Sequence, residues 1–344
     1  MNYRLLGRSG LRVSEMALGT MTFGEEWGWG ASLAESRRMF DLYAAAGGNF
    51  IDTANRYTEG TSERYVGEFV KSDRDHFVVA TKYTLYMRRD DPNFSGNHRK
   101  NMRHAVEASL RRLATDHLDL LWVHAWDFLT PIEEVMRGLD DLVRAGKVLY
   151  VGVSDTPAWV VARANTIAEL RGWTPFSALQ IRYSLIDRTA EADLLPMARA
   201  LDLAVTPWSV LGAGVLSGKY NAADPPAVGR AKEGAARSQR NLEIAATVSR
   251  VADEIGCSPA QVAIRWARQQ AGVVIPILGA RNPEQLEDNL GALAVRLSAE
   301  QLDALDQATR IDLGFPHDFL AQETIQDLIY GGTRAQILDE RPRL

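Results

Sequence analysis

Four titratable side chains of different kinds stand at or just after the ends of apolar runs in this chain. Asp52 closes one run, Lys82 closes a second and His124 follows a third, while Tyr57 lies in a predicted loop beyond Asp52. An acid, an amine, an imidazole and a phenol that meet in one place can move a proton to or from a bound molecule. The pattern therefore predicts proton-transfer chemistry where these strands end.

Lys82 and Asp52 follow neighbouring strands, and their pairing has two interpretations. An aspartate beside a buried lysine keeps the lysine charged, and such a pair can be purely structural. Alternatively, the Lys82 ammonium lowers the pKa of Tyr57, so that this phenol exchanges protons near neutral pH. His124 next to the phenol would then orient a carbonyl oxygen and share the proton.

Short apolar runs alternate with amphipathic stretches of helical period along the chain. The runs cover residues 15–20, 49–54, 77–82, 118–126, 148–154, 178–183, 203–209 and 273–279. The helical patterns cover 32–46, 97 or 100 to 113, 131–145, a stretch from 157, 189–201, 241–255, 258–269 and a stretch from 282. This alternation predicts a parallel sheet, and eight units favour its closure into a (β/α)8 TIM barrel.

The carboxyl ends of barrel strands share one face, so further polar residues should join the four at the mouth. Ser154 and Gln180 end two successive strands and could hold an amide group. Trp208 ends the next strand and offers a face on which a flat ring can stack. Gly279 and Arg281 then precede a helix start, which is typical of a phosphate site. Together these segments predict a long anionic ligand, with Lys219 as a second phosphate contact.

Bulk properties of the 344-residue chain exclude several classes of function. Its net charge of −5 provides no global basic field for nucleic acid or anionic lipid. The single cysteine, Cys257, rules out an intrachain disulfide framework and a multi-cysteine metal site, and we predict no metal. No apolar run is long enough to span a membrane and no secretory leader is evident at the start, so we expect a cytoplasmic protein.

We predict one domain over residues 1–344, with the barrel core at about 13–290. The first 12 residues should form a β-hairpin, with its turn at Arg8-Ser9-Gly10, that closes the lower end of the barrel. Residues 221–238 should form a long loop. Extra C-terminal helices and a tail at about 311–344 should follow the barrel, and the tail from Gly314 onward should fold over the barrel mouth. Whether the protein forms a homo-oligomer is left open.

Other reaction types fit the sequence less well. An open dinucleotide-binding sheet would carry Gly-x-Gly-x-x-Gly after its first strand, and a serine hydrolase would carry Gly-x-Ser-x-Gly; this sequence has neither. A Schiff-base lyase that uses Lys82 as its nucleophile stays open. It would require a neutral lysine, whereas Asp52 should keep Lys82 charged.

The ordered motifs of this chain resemble those of the aldo-keto reductases from about residue 3 to residue 310. Matching segments are Asp52-Thr53-Ala54 with Tyr57, Gly60, Ser62 and Glu63; Thr81-Lys82; His124 with Asp127; Gly152-Val153-Ser154; Gln180 with Tyr183; Trp208-Ser209; Gly214 with Ser217-Gly218-Lys219-Tyr220; and Ile275-Pro276 with Gly279-Ala280-Arg281-Asn282-Pro283. The resemblance implies a (β/α)8 barrel that uses NADP(H) to reduce small-molecule aldehydes and ketones. It implies a catalytic tetrad of Asp52, Tyr57, Lys82 and His124, with Tyr57 as the general acid.

The resemblance also implies which residues contact the cofactor. They are Thr20, Asp52, Ser154, Asp155, Gln180, Trp208, Ser209, Leu211, Gly212, Lys219, Arg230, Gly279, Arg281, Gln285, Asp288 and Asn289. Arg281, Gln285 and Asn289 would hold the 2′-phosphate end, which favours NADPH over NADH. For the substrate pocket we predict Trp27, Trp29, Tyr57, Tyr86, His124 and Trp126, an aromatic lining suited to flat or apolar aldehydes.

Three positions depart from the family pattern. Thr58 replaces a glycine, Asp155 stands where asparagine is frequent, and Val210 replaces a common proline. The chain also resembles the potassium-channel β-subunits, which implies an alternative function as a non-catalytic nicotinamide-binding regulatory subunit. Those subunits carry asparagine at the histidine position, so His124 favours an active reductase.

Overall fold

The computed structural model describes residues 1–221 and 235–338, and its centre is a closed barrel of parallel strands. A short antiparallel pair, β1 (Tyr3–Leu5) and β2 (Arg12–Ser14), comes first. The barrel strands are β3 (Ala17–Gly19), β4 (Phe50–Asp52), β5 (Val78–Tyr83), β6 (Leu118–Val123), β7 (Val148–Ser154), β8 (Ala178–Arg182), β9 (Ala204–Trp208) and β10 (Ile277–Leu278). Their spatial order is β10-β3-β4-β5-β6-β7-β8-β9.

The last strands close the ring through backbone hydrogen bonds. Val205 and Val274 form a parallel bridge between β9 and the segment that leads into β10. The amide of Val205 donates to the carbonyl of Val273 at 2.8 Å, and the amide of Ile275 donates to the carbonyl of Val205 at 2.8 Å. The predicted (β/α)8 barrel and its N-terminal hairpin are confirmed.

Helices surround the barrel, and two short helices follow in the exposed C-terminal tail that the structure describes. The helices around the barrel are α1 (Leu33–Ala45), α2 (Thr61–Val70), α3 (Arg99–Leu113), α4 (Ile132–Arg144), α5 (Ala158–Arg171), α6 (Leu194–Ala200), α7 (Gln239–Ile255), α8 (Pro259–Arg268), α9 (Pro283–Gly291) and α10 (Ala299–Thr309), and those in the tail are α11 (His317–Leu320) and α12 (Glu323–Tyr330). Ser32 caps α1 in a capping box with Glu35, as Ser258 caps α8 with Gln261.

Two helix predictions need correction. Helix α3 starts between the two predicted positions, because the Nδ1 atom of His98 accepts the amide of Asn101 and acts as the N-cap. The predicted helix at 189–201 is broken into a 3-10 turn, Thr189–Glu191, and the shorter α6.

The two-residue period of the strands explains how polar groups reach the mouth. Side chains that fill the barrel interior include Phe50 on β4, Ala80 on β5 and Trp122 on β6, all at most 1% exposed. Alternate strand residues point to the same side, so the next inward position on each strand is two residues further on. Asp52 and Lys82 occupy those positions, and the same spacing beyond Trp122 reaches His124.

The hairpin closes the opposite end of the barrel. Leu6 is fully buried and packs with Phe50, Val78 and Ala178, the first residues of three barrel strands. The amide of Arg8 donates to the carbonyl of Asp202 at 2.8 Å, just before β9. This arrangement agrees with the predicted position of the hairpin and leaves the carboxyl ends of the strands open.

The C-terminal region divides into a packed helix and an exposed tail. Helix α10 is tied to the barrel because the guanidinium of Arg188 donates to Asp306 Oδ1 at 2.8 Å and to Thr309 Oγ1 at 2.7 Å. Beyond it, most apolar side chains of residues 312–338 are exposed; Phe315 is 85% exposed and Leu328 78%. The tail thus does not bury these side chains against the barrel mouth.

Some predictions are not settled by this fold. Residues 222–234 lie outside the described residues, as do the predicted loop there and Arg230. The assignment of the entire chain to one domain stays a prediction. Within the described residues, no helix is both long and apolar enough to traverse a bilayer.

Candidate active site

Lys82 lies at the centre of the polar cluster and uses all three of its ammonium hydrogens. Its Nζ atom donates to Asp52 Oδ2 at 2.5 Å, to the carbonyl of Thr53 at 2.9 Å and to Tyr57 Oη at 2.9 Å. The side chain is 1% exposed. Because Lys82 donates to the phenol oxygen, the proton of Tyr57 is left to point elsewhere, and the cavity is the open side.

Charge at the cluster follows from burial and pairing. Burial alone would lower the pKa of Lys82, but Asp52 and Tyr57 outweigh it and raise that pKa above its ordinary value. Lys82 is therefore a charged ammonium, which counts against its use as a Schiff-base nucleophile.

The expected pKa of Tyr57 requires a correction. Burial raises the pKa of Tyr57 above its ordinary value, and the Lys82 ammonium offsets only part of that rise, while Asp52 adds to it. The predicted effect of Lys82 has the right direction, but the predicted net decrease in the pKa of Tyr57 is wrong. Desolvation, which sequence alone does not reveal, decides the sign.

His124 is neutral and faces the phenol. Burial and the nearby Lys82 charge lower the pKa of His124 from 6.5 to about 3. Its ring lies edge-on to that of Tyr57, with ring centroids 6.1 Å apart. The Nδ1 atom is buried and has no hydrogen-bond partner among the described residues. A neutral imidazole in this position can hydrogen-bond to an oxygen placed beside Tyr57.

A cavity of about 530 Å³ opens directly above this cluster. Of the predicted site residues, it is lined by Trp27, Asp52, Tyr57, His124, Ser154, Asp155, Gln180, Trp208, Ser209, Leu211, Lys219, Gly279, Arg281, Gln285, Asp288 and Asn289. Residues from both ends of the chain thus line one space, which includes Asp52, Tyr57 and His124 of the proton-transfer cluster as well as Arg281.

The middle of the cavity joins the cluster to the strand ends that follow. Gln180 Nε2 donates to Asp52 Oδ1 at 2.9 Å, so Asp52 is held by both Lys82 and Gln180. Trp208 lies on the same wall, and its Nε1 atom donates to Asp155 Oδ1 at 3.3 Å. The orientation of the indole is therefore set by the residue that follows β7, two strands away from β9 in the barrel.

The far end is built on the first turn of α9. Asn282 caps this helix by accepting the amide of Gln285 at 2.9 Å, and the amide of Arg281 donates to Gln285 Oε1 at 3.0 Å. The Arg281 guanidinium makes no ion pair within the described residues. A helix N-terminus with a cation beside it is a suitable phosphate site.

A glycine leaves room for a ligand near Lys219. Gly214 has φ +94°, and a Cβ atom there would come within 2.9 Å of Lys219 Nζ. Absence of a side chain keeps the backbone and the Lys219 ammonium open to the cavity. Lys219, Arg281 and the N-terminus of α9 thus offer phosphate contacts at more than one point of the cavity. These residues suit a phosphorylated dinucleotide.

Several predicted contacts lie away from the cavity wall. Thr20 is fully buried, and its hydroxyl donates to the carbonyl of Asp52 at 3.0 Å, so it supports the site from below. Lys82 also lies beneath the wall, behind Asp52 and Tyr57. Gly212 is not among the lining residues. Asp288 reaches the wall, but its carboxylate already accepts from Ser258 and Gln261 at 2.9 Å.

Besides Tyr57, four aromatic residues were predicted to line the substrate pocket, and the structure places them in different surroundings. Trp27 lines the cavity, with its ring 6.5 Å from that of Tyr57 in an edge-on arrangement. Trp29 packs against Trp27 at 5.7 Å but does not line the cavity. Tyr86 instead accepts a hydrogen bond from Arg56 at 3.1 Å. Trp126 lines a second, neighbouring depression.

Sequence reasoning also missed residues of the wall. Met21 and Thr22 follow the end of β3, and Arg56 and Leu85 follow β4 and β5. Their positions just past strand ends were a usable signal, but their side-chain types suggest no chemistry. Within the described residues, no group of three or more His, Cys, Asp or Glu residues is placed to hold a metal ion.

The fold and the site together define a barrel protein with a Tyr-Lys-Asp-His cluster beside a cavity that also reaches Arg281 at the start of α9. The model of the Aldo/keto reductase family matches residues 15–310. The chain therefore belongs to the aldo-keto reductase family. It is an NAD(P)H-dependent oxidoreductase, and the family assignment supports the reduction of carbonyl compounds.

Curated relatives cover nearly the whole chain. The chain is 41% identical to norsolorinic acid reductase of Aspergillus flavus, over 94% of this chain and 85% of the relative. It is 40% identical to aryl-alcohol dehydrogenase [NADP(+)] of Phanerodontia chrysosporium, over 90% and 86%. It is 37% identical to a putative aryl-alcohol dehydrogenase of Saccharomyces cerevisiae, over 93% and 90%.

Proposed function

We propose that this protein reduces aromatic aldehydes and ketones to alcohols with NADPH, and that Tyr57 is the general acid. The observation that carries the proposal is the hydrogen bond that Tyr57 accepts from the charged Lys82 at 2.9 Å, at the end of a cavity that reaches Arg281. The reactive phenol and the phosphate-binding end thereby belong to one space.

Each residue of the cluster has a distinct role in the proposed reaction. Tyr57 donates its proton to the carbonyl oxygen as negative charge develops there. Lys82 then stabilises the resulting phenolate through the hydrogen bond that already exists, so little rearrangement is needed. Asp52 holds Lys82 charged and in place. Neutral His124 donates a hydrogen bond to the same oxygen and fixes its direction toward Tyr57.

The cofactor assignment rests on the fit of the cavity. Ser154 and Gln180 would hold the carboxamide, Trp208 would stack on the ring, and Arg281 at the start of α9 would bind the 2′-phosphate. When bound, the nicotinamide supplies the hydride that reduces the carbonyl carbon. Arg281 can form a bidentate contact with a phosphate that NADH lacks, and this supports NADPH as the preferred form.

An aromatic substrate is supported by two independent features. The Trp27 indole stands edge-on to Tyr57 at the cavity wall, where it can pack against a flat ring. The name of one relative, aryl-alcohol dehydrogenase, points to aromatic compounds as well.

The test compares the Tyr57→Phe variant with the unmodified protein, using NADPH and an aromatic aldehyde such as 3,4-dimethoxybenzaldehyde. We expect turnover to fall by about a hundredfold or more, because the general acid is lost, while the affinity for NADPH is retained. The consumption of NADPH is followed by its absorbance. Tyr3→Phe, which removes a phenol from the hairpin at the other end of the barrel, is the matched control.

Full turnover by Tyr57→Phe would remove the assigned acid. Tight NADPH binding without turnover of a broad aldehyde panel would support the non-catalytic regulatory subunit instead. Trapping of substrate on Lys82 by borohydride without any cofactor would support the Schiff-base lyase.

A further inference from the structure

Asp155 is a carboxylate on the cavity wall that the proposed reaction leaves unused. It follows β7 directly, with φ +42°, in the left-handed region that aspartate tolerates better than most residues. Its backbone is held on both sides: its amide donates to the carbonyl of Gln180 at 3.4 Å, and its carbonyl accepts from the amide of Trp126 at 3.4 Å. The backbone of Asp155 is therefore held in place just after β7.

One carboxylate oxygen of Asp155 accepts a hydrogen bond within the protein, and the other accepts none from the described residues. Oδ1 accepts the Nε1 hydrogen of Trp208 at 3.3 Å, which orients the indole on which the nicotinamide would stack. The residue is exposed and lines the cavity beside Ser154 and Gln180. The second carboxylate oxygen is thus available to an N–H group of a ligand held between these side chains.

The charge of Asp155 is not neutralised by an ion pair. Lys82 is paired with Asp52, and Arg182, the other cation close to Asp155, is paired with Asp187. Asp155 forms no ion pair with any described residue. A net negative charge therefore remains at this wall of the cavity, at the end where the proton-transfer cluster lies.

The two forms of nicotinamide differ in charge where that carboxylate lies. The oxidised ring carries a positive charge and the reduced ring is neutral, so a nearby carboxylate attracts the oxidised form more strongly. A neutral asparagine would make the same hydrogen bonds without this preference. Aspartate and asparagine at this position thus differ in their effect on the cofactor only through the charge of the side chain.

We propose that Asp155 is a positioning residue that shifts the bound cofactor couple toward its oxidised form. Its hydrogen bond holds the Trp208 indole, and its charge strengthens the binding of NADP+ relative to NADPH. Bound NADPH is thereby a stronger hydride donor to a carbonyl group than it would be in a variant with an amide at this position. This inference rests on the proposed nicotinamide site.

The experiment measures the dissociation constants of NADP+ and NADPH by the quenching of tryptophan fluorescence. Asp155→Asn removes the charge and keeps the acceptor for Trp208, whereas Asp155→Gly removes both and suits the positive φ. Asp193→Asn, which removes an exposed carboxylate that makes no capping bond on α6, is the charge-matched control. All variants are compared with the unmodified protein at one salt concentration.

In Asp155→Asn we expect the dissociation constant of NADP+ to rise about tenfold relative to that of NADPH. Asp155→Gly should weaken both forms, because the indole loses its anchor, and Asp193→Asn should leave both unchanged. An unchanged NADP+ to NADPH ratio in Asp155→Asn would overturn this inference alone. Failure of the unmodified protein to bind either nucleotide would overturn the proposed function together with this inference.

Discussion

At the scale of single residues, the protonation states of Tyr57 and Lys82 indicate which direction of the reaction the site favours. The raised pKa of Tyr57 means that its phenol holds its proton at neutral pH, which suits a residue that donates to a carbonyl oxygen. The raised pKa of Lys82 keeps the ammonium ready to stabilise the phenolate that is formed. The resting site is thus prepared for reduction, and oxidation has to begin from the less populated phenolate.

This difference predicts opposite pH profiles for the two directions. Aldehyde reduction needs protonated Tyr57, so its rate should stay level from neutral to mildly alkaline pH and fall only as pH approaches the raised pKa of Tyr57. Alcohol oxidation needs the phenolate, so its rate should rise by up to about tenfold per pH unit over the same range. Steady-state rates with saturating cofactor across a pH series, in both directions, provide the measurement.

The same series tests the state of His124. Because burial and the Lys82 charge lower the pKa of His124 to about 3, it stays neutral throughout, and neither profile should show an inflection near the ordinary imidazole value of 6.5. An inflection there that disappears in His124→Gln would show that the imidazole titrates and would contradict the assigned role.

A second residue-scale prediction separates stability from chemistry at the buried pair. Lys82→Met leaves Asp52 buried without its cation, so the free energy of unfolding should fall by about 3–5 kcal/mol. Adding Asp52→Leu removes the unpaired charge and should restore part of that stability. Aldehyde reduction should stay absent in both, because neither variant has the ammonium beside Tyr57.

Urea denaturation and NADPH consumption, measured on the same preparations, give the two results. If the double variant were as unstable as Lys82→Met, the cost would come from packing rather than from the unpaired carboxylate. If the single variant reduced aldehydes normally, the pair would be only structural, as one interpretation of the sequence allowed.

At the scale of elements, the sequence predicted the site because strand periodicity and chain order are local signals. Asp52, Lys82 and His124 follow apolar runs, and the closed parallel sheet brings those strand ends together. The sign of the Tyr57 pKa shift was not predictable, since it depends on how much protein surrounds the phenol. The aromatic lining of the substrate pocket was only partly predictable, because it depends on how the loops fold around the cavity.

Loop geometry explains why only one of the four predicted aromatic residues reaches the cavity beside the phenol. Thr58 and Glu59 adopt left-handed backbone conformations, with φ 44° and 53°. This bend brings Glu59 Oε1 within 3.3 Å of Trp27 Nε1, so the loop after Tyr57 holds the indole in position. Thr58 stands where the family pattern has glycine, and no residue-type rule predicts the resulting contact.

The prediction at the scale of elements concerns nucleotide binding at the N-terminus of α9. Its capped N-terminus and the adjacent Arg281 form the proposed 2′-phosphate site, so Arg281→Gln should weaken NADPH binding about ten- to a hundredfold and leave NADH binding nearly unchanged. Arg171→Gln, an equivalent change on the exposed last turn of α5, is the control. Fluorescence titrations with both nucleotides give the ratio, and equal weakening of the two would place the phosphate elsewhere.

At the scale of the whole molecule, the barrel and α10 form the packed unit, and the tail is an addition to it. Leu305 and Thr309 are fully buried, and Asp306 accepts hydrogen bonds from Arg188 at 2.8 Å and from Trp266 Nε1 at 3.1 Å. After Arg310 the described chain, up to residue 338, is largely exposed. The barrel was predictable from eight regular units, but the limits of this final region were not, because the tail lacks a repeating pattern.

The boundary between α10 and the exposed tail predicts that two truncations will differ in their effect on stability. A chain that ends after Asp312 loses no buried residue of the described tail, so its free energy of unfolding should change by less than about 1 kcal/mol. A chain that ends after Leu297 loses α10, uncovers the surface that buries Leu305 and leaves Arg188 without Asp306. It should be several kcal/mol less stable, about the cost of emptying a core site and breaking a partly buried ion pair.

Urea denaturation of the full chain and both truncations measures these differences, and aldehyde reduction reports on the barrel mouth. Equal activity of the full chain and the chain that ends after Asp312 is expected, because no tail residue within the described range lines the cavity. A loss of activity without a loss of stability would instead place the tail in the reaction. Such a result would mean that the exposed apolar side chains, Phe315 and Leu328 among them, close over bound substrate.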